Sequence, residues 1–587
     1  DLSIQLAVTR LAIDFDRCRD EFRRIDHVRG AARMHDERRV GQCAHERTGA
    51  ARVVEVHVRQ QHEVDVAGPV AERRQGLEHP RYGVSGARID ERSAPALLDH
   101  VNRRQASPHV ARVDRGDVVE SAHYCLVCHH ILMRRSYPAL LLVVLATLPA
   151  QAAREERGNL ILDGVPGVSA ALTERVAPWL QARSAEFRGW LPDGSMLVTT
   201  RFAETDQLHR VAAPLGAREQ LTYGAEVLAA NASPAPGATG VPFATTVAGA
   251  PPQLWVWRFA DHSTARVTGS VVRTDALVWS PDGKIVAVQG VAADGMHRDI
   301  VAFEPGGNLH ARLFVAAGAR SWRPLDWSPD GARLLLENDA NPQQSELWLA
   351  DAATGGIAQI ALPSPPGRVR AARFAPDGRG IYLIAPFEDD YARLQYLDPV
   401  ANTLRPLTAE IPWDIESFAV SPDGRYLAFV ANVAGVSRLT VIDQIARNEL
   451  APADLPAGRI ANLAFDHAGG RLAMTAGSAT QPPDAYVYEP ATHTLTRWTQ
   501  SEPGPIDPAA FVTPELISFP TWDRVNGSAR TLPAWVYKPR TPGPHPVLVR
   551  IASGPDEQGR PGFDAFTQLA VNVLGYAVVA PTVRGAA

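Results

Sequence analysis

The chain has 587 residues, and we expect more than one domain because single hydrophobic cores rarely extend beyond about 250–300 residues. Its 59 basic and 64 acidic side chains nearly cancel, which excludes the strongly basic surface typical of proteins that bind nucleic acid or anionic membranes. A hydrophobic fraction of 45% with 21% charged residues is typical of globular proteins and excludes a wholly disordered chain.

Residues 1–132 form a leader whose composition differs from that of the rest of the chain. The leader holds all four cysteines and none of the twelve tryptophans. No stretch of it keeps a helical or alternating apolar period long enough to define a core face. We interpret the leader as unstructured, or as sequence upstream of the true translation start. A small helical domain is the alternative.

Residues 133–152 have the pattern of a secretory signal peptide. Two basic residues, Arg134 and Arg135, precede about ten apolar residues, and the small-x-small sequence Ala150-Gln151-Ala152 follows. The apolar stretch is too short to span a bilayer, and there is no cysteine at the cleavage point to carry a lipid. The sequence therefore predicts a periplasmic or secreted protein with no membrane anchor, whose mature chain begins at Ala153.

Cysteines in the leader have a spacing typical of covalent haem attachment. Cys125, Cys128 and His129 match that spacing, and haem is attached after export. These residues precede the predicted signal peptide and would be removed with it, and the mature chain contains no cysteine. We therefore predict no cofactor and no metal site.

The mature chain is repetitive, with a Pro-Asp-Gly motif that follows an apolar residue and precedes a β-type run. Its aspartates are Asp282, Asp330, Asp377 and Asp423, so the period is 46–48 residues. A weaker copy at Asp193 lies two periods upstream, a degenerate copy surrounds Pro234, and a last copy begins at Phe465. Repeats of 40–50 residues with several short strands are typical of β-propellers. Seven units predict a seven-bladed β-propeller over residues 153–505, including a short N-terminal segment.

The repeated aspartates could be read as functional carboxylates, but the chemistry of the turn explains them. Proline presets the backbone of such a turn, aspartate hydrogen-bonds to it, and glycine adopts a positive φ. A metal or catalytic role is the alternative. The seven histidines of the mature chain have no metal-ligand spacing. Trp279, Trp327 and Trp348 are expected to pack between blades.

Residues 506–587 have a different pattern, which we call the tail. After a proline-rich linker, three apolar β-type runs precede a helical pattern over residues 563–573, which ends at Gly575. The apolar run 576–581 is typical of a strand inside a parallel sheet. Strand, helix and strand in this order indicate the start of an α/β domain. We expect the strand 576–581 to have one edge without a partner strand.

The repeats resemble the propellers of prolyl oligopeptidase family serine peptidases and also those of TolB-type proteins. The tail distinguishes the two, because its runs TLPAWVYKP, HPVLVRIASGPDEQGRPGF and LGYAVVAPTVRG resemble the opening of the peptidase domain in the acylaminoacyl-peptidase and dipeptidyl-peptidase branch. The resemblance implies an incomplete α/β-hydrolase domain after the propeller, serine peptidase chemistry and short peptide substrates. A TolB-like periplasmic propeller that acts as a non-catalytic binding module is the alternative.

The resemblance also implies where the site lies. Relatives carry His-Gly-Gly-Pro-Glu in a loop whose backbone amides contribute to an oxyanion hole, and the loop here is Ala552-Ser553-Gly554-Pro555-Asp556. Ser553 and Gly554 are therefore candidate oxyanion residues, with a plain turn as the alternative. The nucleophile motif G-x-S-x-G occurs nowhere in the chain, so we assign no catalytic triad residue. We expect the chain to be an N-terminal fragment of a peptidase, inactive by itself.

Overall fold

The computed structural model describes residues 155–583 except 158–159, 164, 166, 247–251, 269–271, 293–294, 342–343, 364–366, 388–390, 451–453, 526 and 553–556. The predictions for the leader and the signal peptide fall outside these residues. The chain divides into two compact units, Asp1–Thr173 and Glu174–Ala587. The described part of the first unit contains a short hairpin of strands β1 (Glu155–Arg157) and β2 (Leu160–Leu162), and helix α1 begins there (Ala170–Val176).

Four consecutive antiparallel strands form each of seven sheets in the described part of the second unit, and we number these sheets blades 1 to 7. Blade 1 is β3 (Glu186–Trp190), β4 (Met196–Thr200), β5 (Gln207–Val211) and β6 (Arg218–Gln220). Blade 2 is β7 (Val227–Ala230), β8 (Gly240–Thr245), β9 (Gln253–Arg258) and β10 (Thr264–Arg266). Blade 3 is β11 (Val272–Trp279), β12 (Val286–Val291), β13 (Arg298–Phe303) and β14 (Arg312–Val315).

The remaining four blades continue the same order. Blade 4 is β15 (Trp322–Trp327), β16 (Arg333–Asn341), β17 (Gln344–Asp351) and β18 (Ile357–Gln359). Blade 5 is β19 (Ala371–Phe374), β20 (Ile381–Ala385), β21 (Arg393–Asp398) and β22 (Thr403–Pro406). Blade 6 is β23 (Ile415–Val420), β24 (Tyr426–Val433), β25 (Val436–Asp443) and β26 (Asn448–Glu449). Blade 7 is β27 (Gly458–Phe465), β28 (Leu472–Ser478), β29 (Gln481–Glu489) and β30 (Thr494–Arg497). The predicted seven-bladed propeller is confirmed.

The Pro-Asp-Gly motifs form the turns between the first and second strands, as predicted. Asp330 Oδ1 accepts hydrogen bonds from Ala332 N at 3.0 Å and from Ser328 Oγ at 2.6 Å. The glycines of the five motifs have φ between +69° and +78°, a region that disfavours residues with a Cβ. Hydrogen bonding from Ser328 lowers the pKa of Asp330. These carboxylates are therefore used by the turns.

Residues on or beside the first strands of blades 1 to 5 and of blade 7 line a central channel. Its volume is about 410 Å³, and residues 187–189, 229–231, 276–278, 323–325, 370–373 and 462–464 line it. Asp326, on the first strand of blade 4, accepts a hydrogen bond from Phe374 N of blade 5 at 2.9 Å. Burial raises the pKa of Asp326 to about 6, although the charge of Arg373 acts in the opposite direction. Neighbouring blades are thus joined by polar contacts as well as by their apolar faces.

Blade 1 closes the ring against blade 7 through side-chain packing. Trp190 is 1% exposed, and its Nε1 donates to Ala464 O at 3.1 Å. The indole of Trp498 lies edge-on to Trp190, with 5.5 Å between ring centroids. Phe187 N donates to Thr475 Oγ1 at 2.9 Å. Among the described strands none is shared between these two blades, so the closure depends on these contacts.

The linker that leaves blade 7 is anchored to a buried carboxylate. Asp484 is fully buried and accepts hydrogen bonds from Arg497 Nη2 at 2.5 Å, from Thr499 Oγ1 at 2.7 Å and from Ser501 Oγ at 2.8 Å. The backbone of Ser501 donates to the same carboxylate at 3.1 Å. Asp484 thereby fixes the direction in which the chain leaves the propeller.

The tail forms an eighth, mixed sheet in the order β31 (Glu515–Val525), β32 (Ser528–Tyr537), β34 (Ala577–Pro581), β33 (Val547–Val549). A 3₁₀ helix (Pro508–Ala510) precedes it, and helix α2 (Ala565–Asn572) joins β33 to β34, which run parallel. The expected α/β arrangement is present. The expected open edge on strand 576–581 is wrong, because β34 also pairs with β32 and Val578 is fully buried. The strands at the two edges are β31 and β33, and Val547 of β33 is 58% exposed.

The residues that precede blade 1 pack against the tail. A 3₁₀ helix (Ala177–Gln181) places Trp179 edge-on to Phe511, with 6.0 Å between ring centroids, and Phe511 lies 5.2 Å from Phe563. Arg175 Nη2 donates to Val573 O at 2.7 Å, at the end of α2. Residues that precede the propeller in the sequence thus pack against the tail, which follows the propeller. None of the helices in the described residues is long and apolar enough to cross a membrane.

Candidate active-site region

The loop between β33 and α2 contains the predicted oxyanion residues, and an ion pair joins its two ends. Ser553 and Gly554 lie outside the described residues, so their role stays a prediction. The Arg550 guanidinium contacts the Asp564 carboxylate and the Thr567 hydroxyl. Asp564 also caps α2, because it accepts from Phe566 N at 3.1 Å and from Thr567 Oγ1 at 2.6 Å. The loop therefore begins next to β33 and ends at the start of α2, and the Arg550–Asp564 pair holds these two ends together.

The second half of this loop is bound to blade 6 of the propeller through Arg560. Its guanidinium forms a two-pronged ion pair with the Glu416 carboxylate, with Nη2 3.2 Å from Oε2. Nη2 also donates to Ser437 Oγ at 2.8 Å, and Nε donates to Gly435 O at 3.0 Å. Ser437 Oγ in turn donates to Glu416 at 3.0 Å. Paired donors of this kind fix both the position and the orientation of a guanidinium.

A β-bulge in β23 presents Glu416 to the tail. Ile415 pairs with Ala431 and Ser417 pairs with Val430, so Glu416 has no opposite residue in the ladder. A bulge changes the direction of a side chain relative to the regular alternation of the strand. Glu416 therefore turns toward Arg560.

The turn between β24 and β25 touches the tail sheet at Gly435. This glycine has a φ of +91°, and a Cβ built on it would lie 2.9 Å from Trp535 Nε1 of β32. Beside it, Asn432 Nδ2 donates to Gln558 Oε1 at 2.8 Å. We call this set, Gln558 and Arg560 with Glu416, Gly435, Ser437 and Asn432, the blade 6 contact. Only glycine allows this approach without displacing Trp535.

A second attachment, the blade 7 contact, is made by Gln568 of α2. The side chain is 1% exposed, and its Nε2 donates to Ala479 O of blade 7 and to Val512 O of the linker, both at 2.9 Å. Gln568 Oε1 accepts from Val512 N at 2.8 Å. One amide thus satisfies backbone groups of the propeller and the linker together.

The ionisable groups of this region serve structure in the described residues. Burial raises the pKa of Tyr537, on β32, to about 12, so its phenol stays neutral. No group of three or more His, Cys, Asp or Glu in the part of the chain that the structure describes could hold a metal ion. In the described residues the region therefore presents ion pairs and hydrogen-bonded hydroxyl groups.

The sequence motifs missed the residues that join the propeller to the tail. Arg560 lies inside the run HPVLVRIASGPDEQGRPGF, but Glu416 is 144 residues away. Gln568 appears in a helical pattern as an ordinary polar residue. No local sequence pattern identifies such pairs, because the two partners are far apart in the sequence and come together only when both domains are folded.

Solved structures of prolyl oligopeptidases share this architecture. One, from a mechanistic study of two prolyl endopeptidases and the role of inter-domain dynamics, aligns with 70% of this chain and 63% of its own, with a TM-score of 0.58 and 14% identity. Prolyl oligopeptidase B from Galerina marginata, bound to a 25-residue macrocyclization substrate, aligns over the same shares with a TM-score of 0.59 and 13% identity. The described chain has the prolyl oligopeptidase fold.

The prolyl oligopeptidase fold agrees with the resemblance of the repeats and the tail. The chain spans about 63% of the length of the structures it matches. No protein-family profile and no curated protein sequence matches it.

Proposed function

We propose that this chain belongs to a serine peptidase of the prolyl oligopeptidase family that hydrolyses short peptides. The observation that carries the proposal is the attachment of a mixed α/β sheet to one side of a seven-bladed propeller, an arrangement with the fold of prolyl oligopeptidases. A TolB-like binding module would have no use for such a sheet or for the residues that hold it at blades 6 and 7. The peptidase is therefore the better supported candidate.

In such a peptidase a serine attacks the peptide carbonyl, a histidine transfers protons, and backbone amides stabilise the negative charge that develops on the carbonyl oxygen. The loop after β33 is the proposed source of one amide. No G-x-S-x-G motif occurs in the 587 residues, so we propose that they do not cleave peptides by themselves. Their part in the reaction is to shape access to the site and to position the loop.

The peptidase proposal is tested on the native polypeptide. Antibodies raised against the propeller would isolate it from cells, and a fluorophosphonate probe followed by mass spectrometry would identify any reactive serine. We expect label on a serine outside the present sequence, and none on the purified 587-residue chain. A native polypeptide that takes no label contradicts the peptidase and favours the binding module. Label within the 587 residues contradicts the proposed inactivity of this part.

We also propose that the protein is exported, on the pattern of residues 133–152 alone. Expression in a Gram-negative host should deliver a protein that begins at Ala153 to the periplasm. N-terminal sequencing of the periplasmic fraction measures this start. Peptides from residues 1–132 in the mature protein would contradict both the cleavage site and the interpretation of the leader.

A further inference from the structure

A cleft between blades 3 and 4 encloses a cavity of about 730 Å³. Sites for small molecules typically enclose about 300–1,000 Å³. The Pro-Asp-Gly turns of the two blades and the connection from β13 to β14 form its walls. These connections lie at the strand ends away from the tail, because the turns between second and third strands contact the tail side, at Gly435 and Ala479. The cavity is therefore separate from the candidate active-site region.

Blade 3 has a small residue where the later blades have larger ones. Ile300 packs on blade 4, and Ala302 lies on the same side of β13 and lines the cavity. In blades 3 to 7 an acidic residue stands at the end of the third strand, and the residue two positions earlier faces the next blade. That residue is Ala302 in blade 3, and in blades 4 to 7 it is Leu349, Tyr396, Val441 and Val487. The cavity thus occupies space that a larger side chain fills in the later blades.

The connection from β13 to β14 is a second departure from the repeat. It has eight residues, 304–311, whereas the other six blades use four to six at this point. Thr268 N donates to Leu309 O at 2.9 Å, and Ala311 N donates to Thr268 O at 2.8 Å, which joins the connection to the segment after blade 2. Leu309 is buried in the core between blades 2 and 3. This wall of the cavity is therefore fixed by backbone hydrogen bonds and by burial.

Two opposite charges at the cavity have no partner in the described part of the protein. Among the described residues, neither the Glu304 carboxylate nor the Arg312 guanidinium forms an ion pair or a hydrogen bond, and both side chains are exposed. In blades 4 to 6 the acid at the position of Glu304 is bonded to its own turn, as where Asp351 Oδ1 accepts from Thr354 N at 2.8 Å. The longer connection of blade 3 leaves Glu304 available to a ligand.

Apolar surface lines the same cavity. Phe314 of blade 3 and Trp327 of blade 4 both line it, with 5.8 Å between their ring centroids. Leu313, beside Arg312, is 60% exposed. Burial of this surface by the apolar part of a ligand would be favourable. A cavity that combines apolar walls with one available anion and one available cation matches a small zwitterion that carries an apolar side chain.

We propose that this cavity binds such a zwitterion, an amino acid or a short peptide. Its ammonium group donates to Glu304, its carboxylate accepts from Arg312, and its apolar side chain lies against Phe314 and Trp327. The proposal concerns the face of the propeller away from the tail and goes beyond the peptidase chemistry. Its test measures binding without cleavage, so its failure and the failure of the proposed function are distinguishable.

The experiment titrates the purified full chain with leucine and with the dipeptide leucyl-phenylalanine, by isothermal titration calorimetry at low ionic strength. We expect saturable one-to-one binding of at least one of them, and the tighter ligand indicates the size of the site. Acetylation of its amino group, or conversion of its carboxylate to the amide, should weaken binding about tenfold, because each removes one charge-assisted contact.

Three variants assign the binding to this cavity. Glu304→Gln should weaken the free ligand about tenfold without further weakening its acetylated form, and Arg312→Met should do the same with respect to the amide. Glu449→Gln and Arg266→Met, at exposed side chains on the fourth strands of blades 6 and 2, are the matched controls and should leave binding unchanged. Ala302→Leu gives blade 3 the side chain that blade 4 has at this position, and should abolish binding while the circular dichroism spectrum stays that of the wild type.

Absence of binding of both ligands to the wild type would overturn the proposal. Equal binding of free and blocked ligands would overturn it as well, because the two charges would then play no part. Undiminished binding to a folded Ala302→Leu would place the ligand elsewhere on the chain and refute the assigned cavity. If Ala302→Leu does not fold, the titrations of Glu304→Gln and Arg312→Met with free and blocked ligands decide by themselves.

Discussion

The closure of the propeller between its first and last blades depends on a single indole more than on any other side chain we describe. Replacing Trp190 with alanine removes a fully buried tryptophan, which costs about 3–5 kcal/mol in folded cores. It also removes the hydrogen bond to Ala464 O, about 1 kcal/mol, and a cation–π contact in which the guanidinium of Arg471 lies 4.3 Å from the ring. We expect a loss of about 4–6 kcal/mol in the free energy of unfolding.

Urea unfolding of the full chain, followed by circular dichroism at 25 °C, measures this loss. Trp522→Ala is the matched control, because this tryptophan is 88% exposed on β31 and its removal should change stability by no more than about 0.5 kcal/mol. Trp190→Phe keeps a ring but not the N–H donor, and should fall between the two. If Trp190→Ala were within about 1 kcal/mol of Trp522→Ala, the reasoning that the ring closure depends on the contacts of Trp190 would be refuted.

Three further predictions concern individual residues. The folded-state pKa of Asp326, about 6, lies above its ordinary value of 3.8, so the folded state holds the proton more tightly. Relative to Asp326→Asn, the wild type should lose up to about 3 kcal/mol of stability as the pH rises from about 4 to 6, and a pH series of urea midpoints that runs parallel for both proteins would contradict this. Asp484→Ala leaves Arg497 and two hydroxyls without their acceptor and should cost about 3–5 kcal/mol by the same assay, whereas a cost below about 1 kcal/mol would show that the linker is anchored elsewhere. Gly435→Ala should destabilise the tail more than Gly527→Ala does. Both glycines have a positive φ, but only an added Cβ at position 435 would contact Trp535. Equal effects of the two substitutions on the thermal transition of the tail would argue against that contact.

The propeller could be predicted from the sequence because the residues that specify each blade's turn are neighbours in the sequence. Each turn needs proline, aspartate and glycine within three residues, and the turn positions alone give the period. Even the degenerate copy around Pro234 lies where it was expected, between β7 and β8. In blade 6 the turn is held by Ser421 Oγ, which accepts a hydrogen bond from Tyr426 N. In the corresponding turn of blade 7, Asp466 Oδ1 accepts from Arg471 N at 3.1 Å, so a different residue type makes the equivalent hydrogen bond.

The arrangement of the tail could be predicted only in part. Strand and helix types follow from local patterns, but the edge of the sheet depends on which strands pair. Strand β32 returns to pair with β34 some forty residues later along the chain, and this left β33 at the edge, contrary to expectation. The Glu416–Arg560 pair is harder still, because a bulge in one domain presents the carboxylate to a loop of another.

The ring closure also sets the order in which this protein can finish folding during synthesis. Trp190 and its partner Ala464 are 274 residues apart, so the ribosome must make nearly the whole propeller before they can meet. At typical synthesis rates of 5–20 residues per second, the face of blade 1 that packs on blade 7 stays uncovered for about 15–55 s before blade 7 is made. Throughout that interval Phe187 and Trp190 face water or a chaperone, which makes the nascent chain most prone to association just before the last blade is complete.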